Sequence, residues 1–310
     1  MKTLICYTTN RKKTTSIVED FARGVNKQNY HYNAEVVEIS DFKKSGIPNH
    51  ASAVMSLGIL RGTGLMFKQA AKQGLDRYFL DHAYFQPGYN GKGWMRLTKN
   101  RHTMNWLNGS DGSRWATNFK DSQKVTPWRT KDERGVNIIV CPPTDAVGWY
   151  FNAKDWEEKV LEHLKSIIPP GHHHLIQVRR KPGGPIVDKK GNLIGKEPAP
   201  TNAQPSFDEE LQNANFLVVY NSMVALEATR KGYPVITDQH NSCFSISNSW
   251  DDIWDLHLKD PRFDEEPNRR KLFYWLADNQ YTHKEIKSGT AWLRVYASEP
   301  PTKINYEQPF

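Results

Sequence analysis

Three groups of residues in this chain are equipped for chemistry. Asp81-His82 sets a carboxylate beside an imidazole, two side chains able to take a proton from a reacting hydroxyl. Arg179-Arg180-Lys181 places three cations in a row before a Pro-Gly-Gly turn, and guanidinium groups can grip phosphate oxygens in bidentate fashion. Asn221-Ser222 follows an apolar run, and both residue types begin helices by accepting hydrogen bonds from N–H groups that lack a helical partner. A base, phosphate-neutralising cations and a polar turn together suit group transfer from a phosphorylated donor. Each also has a plain alternative. Asp81 can cap a turn with His82 packed on Tyr84, 179–181 can be a solvated basic turn, and 221–222 an ordinary strand–helix junction.

The elements that must position these groups alternate between strand and helix. Residues 3–8 read as a buried strand, and 14–25 as an amphipathic helix with Ile17, Val18 and Phe21 on one face. Strands are expected at 35–39, 54–60 and 77–80, so Asp81 closes a strand at the edge where α/β sheets bind ligands. Arg61-Gly-Thr-Gly64 opens a helix running to about residue 72. Its glycines permit close backbone approach, but it lacks the spacing of a dinucleotide fingerprint and the Lys-Ser/Thr ending of an NTPase loop. A tight turn explains the glycines; Arg61 is the member of interest.

The second half repeats the rhythm. Residues 136–141 form a strand, 153–168 a helix, and 174–178 a strand leading into the basic trio. A Pro/Gly-rich loop over 182–205 precedes a short helix at 206–212 capped by Ser206. Then comes strand 216–220, the Asn221-Ser222 turn, a helix stopped at Gly232, and strand 234–237. Such a βαβ unit presents helix N–H groups at a sheet edge, which suits a phosphate-bearing ligand. Pro143-Thr144 and Trp149 border the same edge, as a turn and a core residue would too. Helical segments near 268–279, 282–288 and 291–296 precede an extended tail at 297–310. The alternation defines an α/β fold with parallel sheets covered on both faces.

The 310 residues carry a net charge of +8, unevenly spread. Residues 1–134 hold 22 Lys/Arg against 11 Asp/Glu, and residues 135–310 hold 20 against 23. A basic half of this kind points to a polyanion, nucleic acid or an anionic membrane surface. Residues 86–134 break the strand–helix rhythm, with ten Lys/Arg against four acids and Trp94, Trp106, Trp115, Phe119 and Trp128 interleaved. Lys/Arg neutralise phosphates and aromatic rings stack on exposed bases, so this stretch is expected to set the acceptor. Three well-separated cysteines, no apolar run of membrane-spanning length and no signal-peptide core point to a cytoplasmic chain with no integral membrane segment. His172-His-His174 alternates between strand faces and does not converge on one ion, so no metal site is expected.

The pattern Asn221-Ser-x-x-x-Leu-Glu-Ala-x-x-x-Gly-x-Pro-Val-Ile236 resembles the donor-binding segment of two-domain (GT-B) glycosyltransferases, most of all the Kdo-transferase-like and bacteriophage members. Arg269-Arg-x-Leu-x-Tyr-Trp-Leu-Ala277, Gln280-Tyr-Thr and Glu285-Ile-x-x-Gly-x-Ala-Trp292 resemble the closing helices of the same family. The resemblance covers residues 135–310 and touches 1–134 only weakly. It implies two Rossmann-like domains with a cleft between them, and C-terminal helices crossing back to the first domain. It implies that the turn at Asn221, Ser222 and Met223 faces sugar-nucleotide phosphates, and that Glu227 holds the ribose or donor sugar.

On this reading residues 1–134 are the acceptor domain with an insert at 86–134, and 135–296 the nucleotide-sugar domain. Asp81 is the expected base with His82 the alternative, and Arg179, Arg180 and Lys181 hold the phosphates. Arg61, Lys92, Trp94, Arg96, Lys99, Arg101 and Trp115 are expected to meet the acceptor. The expected reaction moves a sugar from a nucleotide sugar, UDP-linked rather than CMP-linked, to a hydroxymethylated base in double-stranded phage DNA. In that case the enzyme works in the host cytoplasm, with no cofactor beyond its co-substrate. The missing Asp-x-Asp, the metal-diphosphate motif of single-domain glycosyltransferases, favours a metal-independent enzyme. A surface-polysaccharide transferase, and a non-catalytic nucleic-acid-binding protein on this scaffold, are the alternatives.

Overall fold

The computed structural model describes residues 1–9, 11–88, 92–198, 205–258 and 266–297. These fall into two compact units, the first from residues 1–104, 187–193 and 276–297, the second from 105–186 and 194–275. The first unit opens with β1 (Lys2–Thr8), α1 (Lys12–Gln28), β2 (Tyr32–Glu38), α2 (Ile39–Ser45), β3 (Ala51–Leu57), α3 (Thr63–Lys72), β4 (Asp76–His82) and β5 (Trp94–Lys99). Strands β1 to β4 are parallel in the order β2-β1-β3-β4, and β5 runs antiparallel on the outer side of β4. Parallel strands are buried on both faces. That is why β1 reads Leu-Ile-Cys-Tyr without alternation, all four residues buried. On one face of the sheet, α1 buries Ile17, Val18, Phe21 and Val25.

The second unit contains α4 (Ser113–Asn118), β6 (Asn137–Cys141), α5 (Asp145–Phe151), α6 (Trp156–Ile167) and β7 (Ile176–Val178). After β8 (Pro185–Val187) and β9 (Leu193–Lys196), which pair with each other, come α7 (Phe207–Gln212), β10 (Ala214–Val219), α8 (Val224–Arg230), β11 (Val235–Thr237), α9 (Ile253–Leu258) and α10 (Glu266–Asp278). Its sheet, β11-β10-β6-β7, is parallel throughout. Ser206 caps α7 in a capping box with Glu209, as its position before an acidic turn predicts. The stretch expected as a loop at 182–205 carries β8 and β9; residues 199–204 lie outside the described set.

The chain then rejoins the first unit. β12 (Gln280–Thr282) pairs antiparallel with β5, and α11 (His283–Ser288) and α12 (Thr290–Ala297) pack on α1. Trp292 of α12 is 0% exposed and meets the rings of Phe21, Tyr32 and Tyr78 at 6.1, 5.3 and 4.9 Å between centroids. Gly24 of α1 and Gly289 are glycines because the backbones touch. A Cβ on Gly24 would lie 2.4 Å from the Ile286 carbonyl oxygen. The return of the closing helices to the first unit is as the tail motifs imply.

The boundary differs from the one expected after residue 134. The units part between residues 104 and 105, and 86–134 is not one insert. β5 is a strand of the first sheet, whereas 105–134 packs within the second unit. Residues 276–297 likewise leave the expected second domain for the first. The expected tail at 297–310 lies outside the described residues, apart from residue 297 at the end of α12.

Candidate functional site

In the second unit all four strands are parallel, so their carboxyl ends share one edge. The connection from β6 runs to β7 on one side and that from β10 to β11 on the other. The gap between adjacent strands whose connections diverge is where α/β sheets bind ligands. Here it is bordered by Pro142–Thr144 after β6 and by Tyr220–Met223 after β10. Asn221, Ser222 and Met223 are half-buried at this edge. The Ser222 carbonyl accepts a hydrogen bond from Asn241 Nδ2 at 3.2 Å, and its Oγ accepts one from the Val224 N–H at 3.4 Å. Asn241 is buried and also accepts the Cys243 N–H at 2.9 Å, so it fixes the turn from behind. Sequence reasoning missed Asn241; its signal is the polar run Asp238-Gln-His-Asn-Ser directly after β11.

Glu227 projects from α8, partly exposed, and pairs with Lys231 at 3.1 Å. Lys231 also pairs with Asp208. The basic trio follows β7 as expected, but two of its members already have carboxylates. Arg179 pairs with Glu210 and lies over the Phe207 ring at 5.5 Å, while Arg180 forks onto Glu157. Lys181 is exposed. A phosphate reaching Arg179 or Arg180 would have to displace an acid. His172 Nδ1 meets His257 Nε2 at 2.8 Å. Among the described residues no group of three or more His, Cys, Asp or Glu could hold a metal ion. All three cysteines are buried, and burial pushes the Cys141 and Cys243 thiols up to about 12, so none is a poised nucleophile.

In the first unit Asp81 is the penultimate residue of β4, opposite Arg96 of β5. Oδ2 accepts from Arg96 Nη2 at 3.3 Å and faces His102 Nε2 at 3.2 Å, while Oδ1 accepts the His82 N–H at 2.8 Å. Burial alone would raise the Asp81 pKa. The Arg96 charge, His102 and the His82 N–H outweigh it and hold the carboxyl well below its ordinary range. His102 moves down, first because it is buried, with the Arg96 charge adding to this and Asp81 opposing it. At neutral pH the trio is therefore a cation, an anion and a neutral imidazole, a combination that burial tolerates. The Asp81 side chain keeps 19% exposure. His82 alternates to the other face of β4 and is exposed, so it does not share Asp81's surroundings. His102 went unnoticed in the sequence because it stands in an irregular stretch with no periodicity.

Three of the residues expected on the acceptor surface are buried instead. Arg96 is 6% exposed and committed to Asp81, and Trp94 is 9% exposed within β5. Trp115 is 6% exposed and stacks on Phe273 of α10 at 5.5 Å, in the second unit. Their rings and charge are spent on folding: the Trp/Arg mixture is a core pattern here, not a base-stacking surface. Lys99 pairs with Asp76 at 3.2 Å and lies over the Tyr78 ring. Lys92 is exposed, Arg101 half-buried, and Arg61 half-buried at the end of β3. Arg269, whose type suggested a tail motif, is buried over the Trp128 ring at 4.2 Å and donates to the Thr229 carbonyl of α8 at 3.0 Å.

No protein-family model matches this sequence, and no curated protein matches it. Among solved structures, the β-Kdo 2,7-transferase KpsC of Thermosulfurimonas dismutans is similar over 95% of this chain and 100% of its own, at 13% identity and a TM-score of 0.37. Among the described residues no helix is long and apolar enough to cross a membrane.

Proposed function

We propose that this protein is a metal-independent glycosyltransferase of the GT-B type, taking a sugar from a nucleotide sugar, UDP-linked in preference to CMP-linked. The observation that carries the reading is the place of the Asn-Ser-x-x-x-Leu-Glu-Ala segment. The stretch that resembles a donor-binding segment lies at the β6/β10 edge, where the connections diverge, with Asn221–Met223 half-open there. In this reading the turn meets the diphosphate, Glu227 the ribose or sugar, and Lys181 with Arg179 and Arg180 the leaving charge. Asp81 receives the acceptor hydroxyl, oriented by Arg96 and His102.

The acceptor half rests on the basic first 134 residues, now without the stacking tryptophans. A hydroxymethylated base in duplex DNA and an anionic surface polysaccharide make the same claim on that charge. A cytoplasmic enzyme has access to either. The test incubates the protein with a panel of sugar nucleotides and, separately, hydroxymethylated DNA and anionic oligosaccharides, with mass spectrometry of the products. A hexose-sized or Kdo-sized gain on either acceptor that survives chelation and is lost in Asp81→Asn is expected. No gain on any acceptor, or full activity in that variant, refutes the corresponding part. Steeply salt-dependent duplex binding without transfer would instead favour the non-catalytic reading.

A further inference from the structure

The first unit has its own point of diverging connections, and cations gather there. β1 leads to β2 on one side and β3 to β4 on the other, so the β1/β3 edge is where a ligand crevice opens. Arg11 follows β1 at the N-cap position of α1; Arg61 lies between β3 and α3. Lys43 of α2 crosses Gly62, where a Cβ would lie 2.8 Å from its Cε and 3.6 Å from its Nζ. Neither the Arg11 nor the Arg61 side chain has a hydrogen bond or ion pair among the described residues, and Lys43 reaches only the Asn192 amide oxygen, at 3.3 Å. Glu38, the acid nearest this edge on β2, is bonded by Ser40 at 3.1 Å.

The helices add to the same polarity. α1 and α3 both start at this edge, neither has a side-chain cap, and neither carries an acid in its first turn. Their dipoles favour an anion at this edge, although the Thr63 and Gly64 N–H groups already donate to the Leu60 and Ile59 carbonyls. Burial first, and then the Arg11 charge, push the Arg61 pKa down. Like charges brought together, with no ion pair to either arginine among the described residues, repel one another, and an anion relieves that repulsion.

We propose that the β1/β3 edge of the first unit, built from Arg11, Lys43 and Arg61 with the starts of α1 and α3, binds a phosphate-class anion. It deepens the transferase reading, on which only the carrier of the phosphate depends: a phosphodiester of the acceptor or the diphosphate of the nucleotide. The full-length protein is titrated calorimetrically with inorganic pyrophosphate, UDP and a short oligothymidylate at constant ionic strength. Pyrophosphate affinity is expected to fall at least tenfold in Arg11→Gln/Arg61→Gln and to stay unchanged in Lys27→Gln, which removes a charge at the far end of α1. Thermal stability of the double variant without ligand is expected to equal or exceed the wild type, because a repulsion is removed. Loss of oligothymidylate binding assigns the site to the acceptor, and loss of UDP binding assigns it to the nucleotide. Unchanged pyrophosphate binding in the double variant, or an equal loss in Lys27→Gln, overturns the site. A loss of ligand-free stability would mean that the arginines hold the fold, and overturns it equally. Binding of pyrophosphate without any transferase activity would uphold the site while refuting the transferase.

Discussion

Replacing Arg96 by methionine tests the account of Asp81 most directly. The substitution keeps an apolar stem for the packing beside Tyr84 and removes the cation that faces the carboxylate across β4 and β5. Removing one partner of a buried ion pair costs about 3–5 kcal/mol, since the other charge is stranded. Asp81 keeps its bonds from His102 and the His82 N–H and retains some exposure, so we expect the lower end, about 3 kcal/mol. The two units need not unfold together, so the assay is native-state hydrogen exchange read on peptides from β4 and β5. About 3 kcal/mol corresponds to roughly 150-fold faster exchange there at neutral pH.

The pH dependence carries the sign. In the wild type the Asp81 pKa is depressed on folding. Its contribution is therefore complete above the ordinary carboxyl range near pH 4, and is lost as pH falls through and below that range. In Arg96→Met the chief lowering influence is gone and burial raises the pKa. The deficit should be largest at pH 7 and shrink as the pH falls from about 5 towards 3. A deficit that stays constant over this range, or one below about 1 kcal/mol, would mean a hydrated surface pair. The proposed role of Asp81 as an oriented carboxylate would fall with it.

Three further substitutions probe packing. Trp292→Ala should cost about 3–5 kcal/mol and should lower exchange protection in α1 and β2 as well as in α12. Loss confined to the C-terminal peptides would refute its place in the first core. Trp115→Ala should destabilise the second unit by a similar amount, read as hydrogen exchange on its peptides in urea, and any duplex binding by the folded protein should be unchanged. Lost DNA binding at unchanged stability would restore the stacking role. Gly24→Ala should cost at least about 1–3 kcal/mol, because a Cβ would meet the Ile286 carbonyl oxygen. A neutral result would refute the close crossing of α1 and α11.

What the sequence made legible was what repeats locally. β1, β3, β4, β6, β10 and β11 announce themselves as apolar runs, and Ser206 with Glu209 marks the start of α7 by its spacing. The turn at Asn221-Ser222 was readable because a strand, a polar pair and Gly232 stand in order. β5 was hidden because its Arg96 interrupts an apolar pattern that only a partner on β4 makes tolerable. His102 and Asn241 were hidden for a related reason. Each is a polar residue outside any periodic element, and its role depends on a residue about twenty positions away.

The arginines show why charge counts and composition misdirect. Arg96, Arg269 and Arg61 all add one charge to the basic balance, yet the fold gives each a different use. Arg96 sits within a strand paired on both sides and faces a carboxylate, and Arg269 is enclosed against an indole and backbone carbonyls; neither charge is available to a ligand. Arg61 follows a strand at an edge where the connections part, half-buried and facing another cation. Topology decides the matter. A cation beside a paired strand is neutralised by its neighbour, whereas one in a loop where the connections diverge has a ligand crevice beside it. Net charge alone therefore does not tell which of these arginines is open to a ligand; the sheet order does.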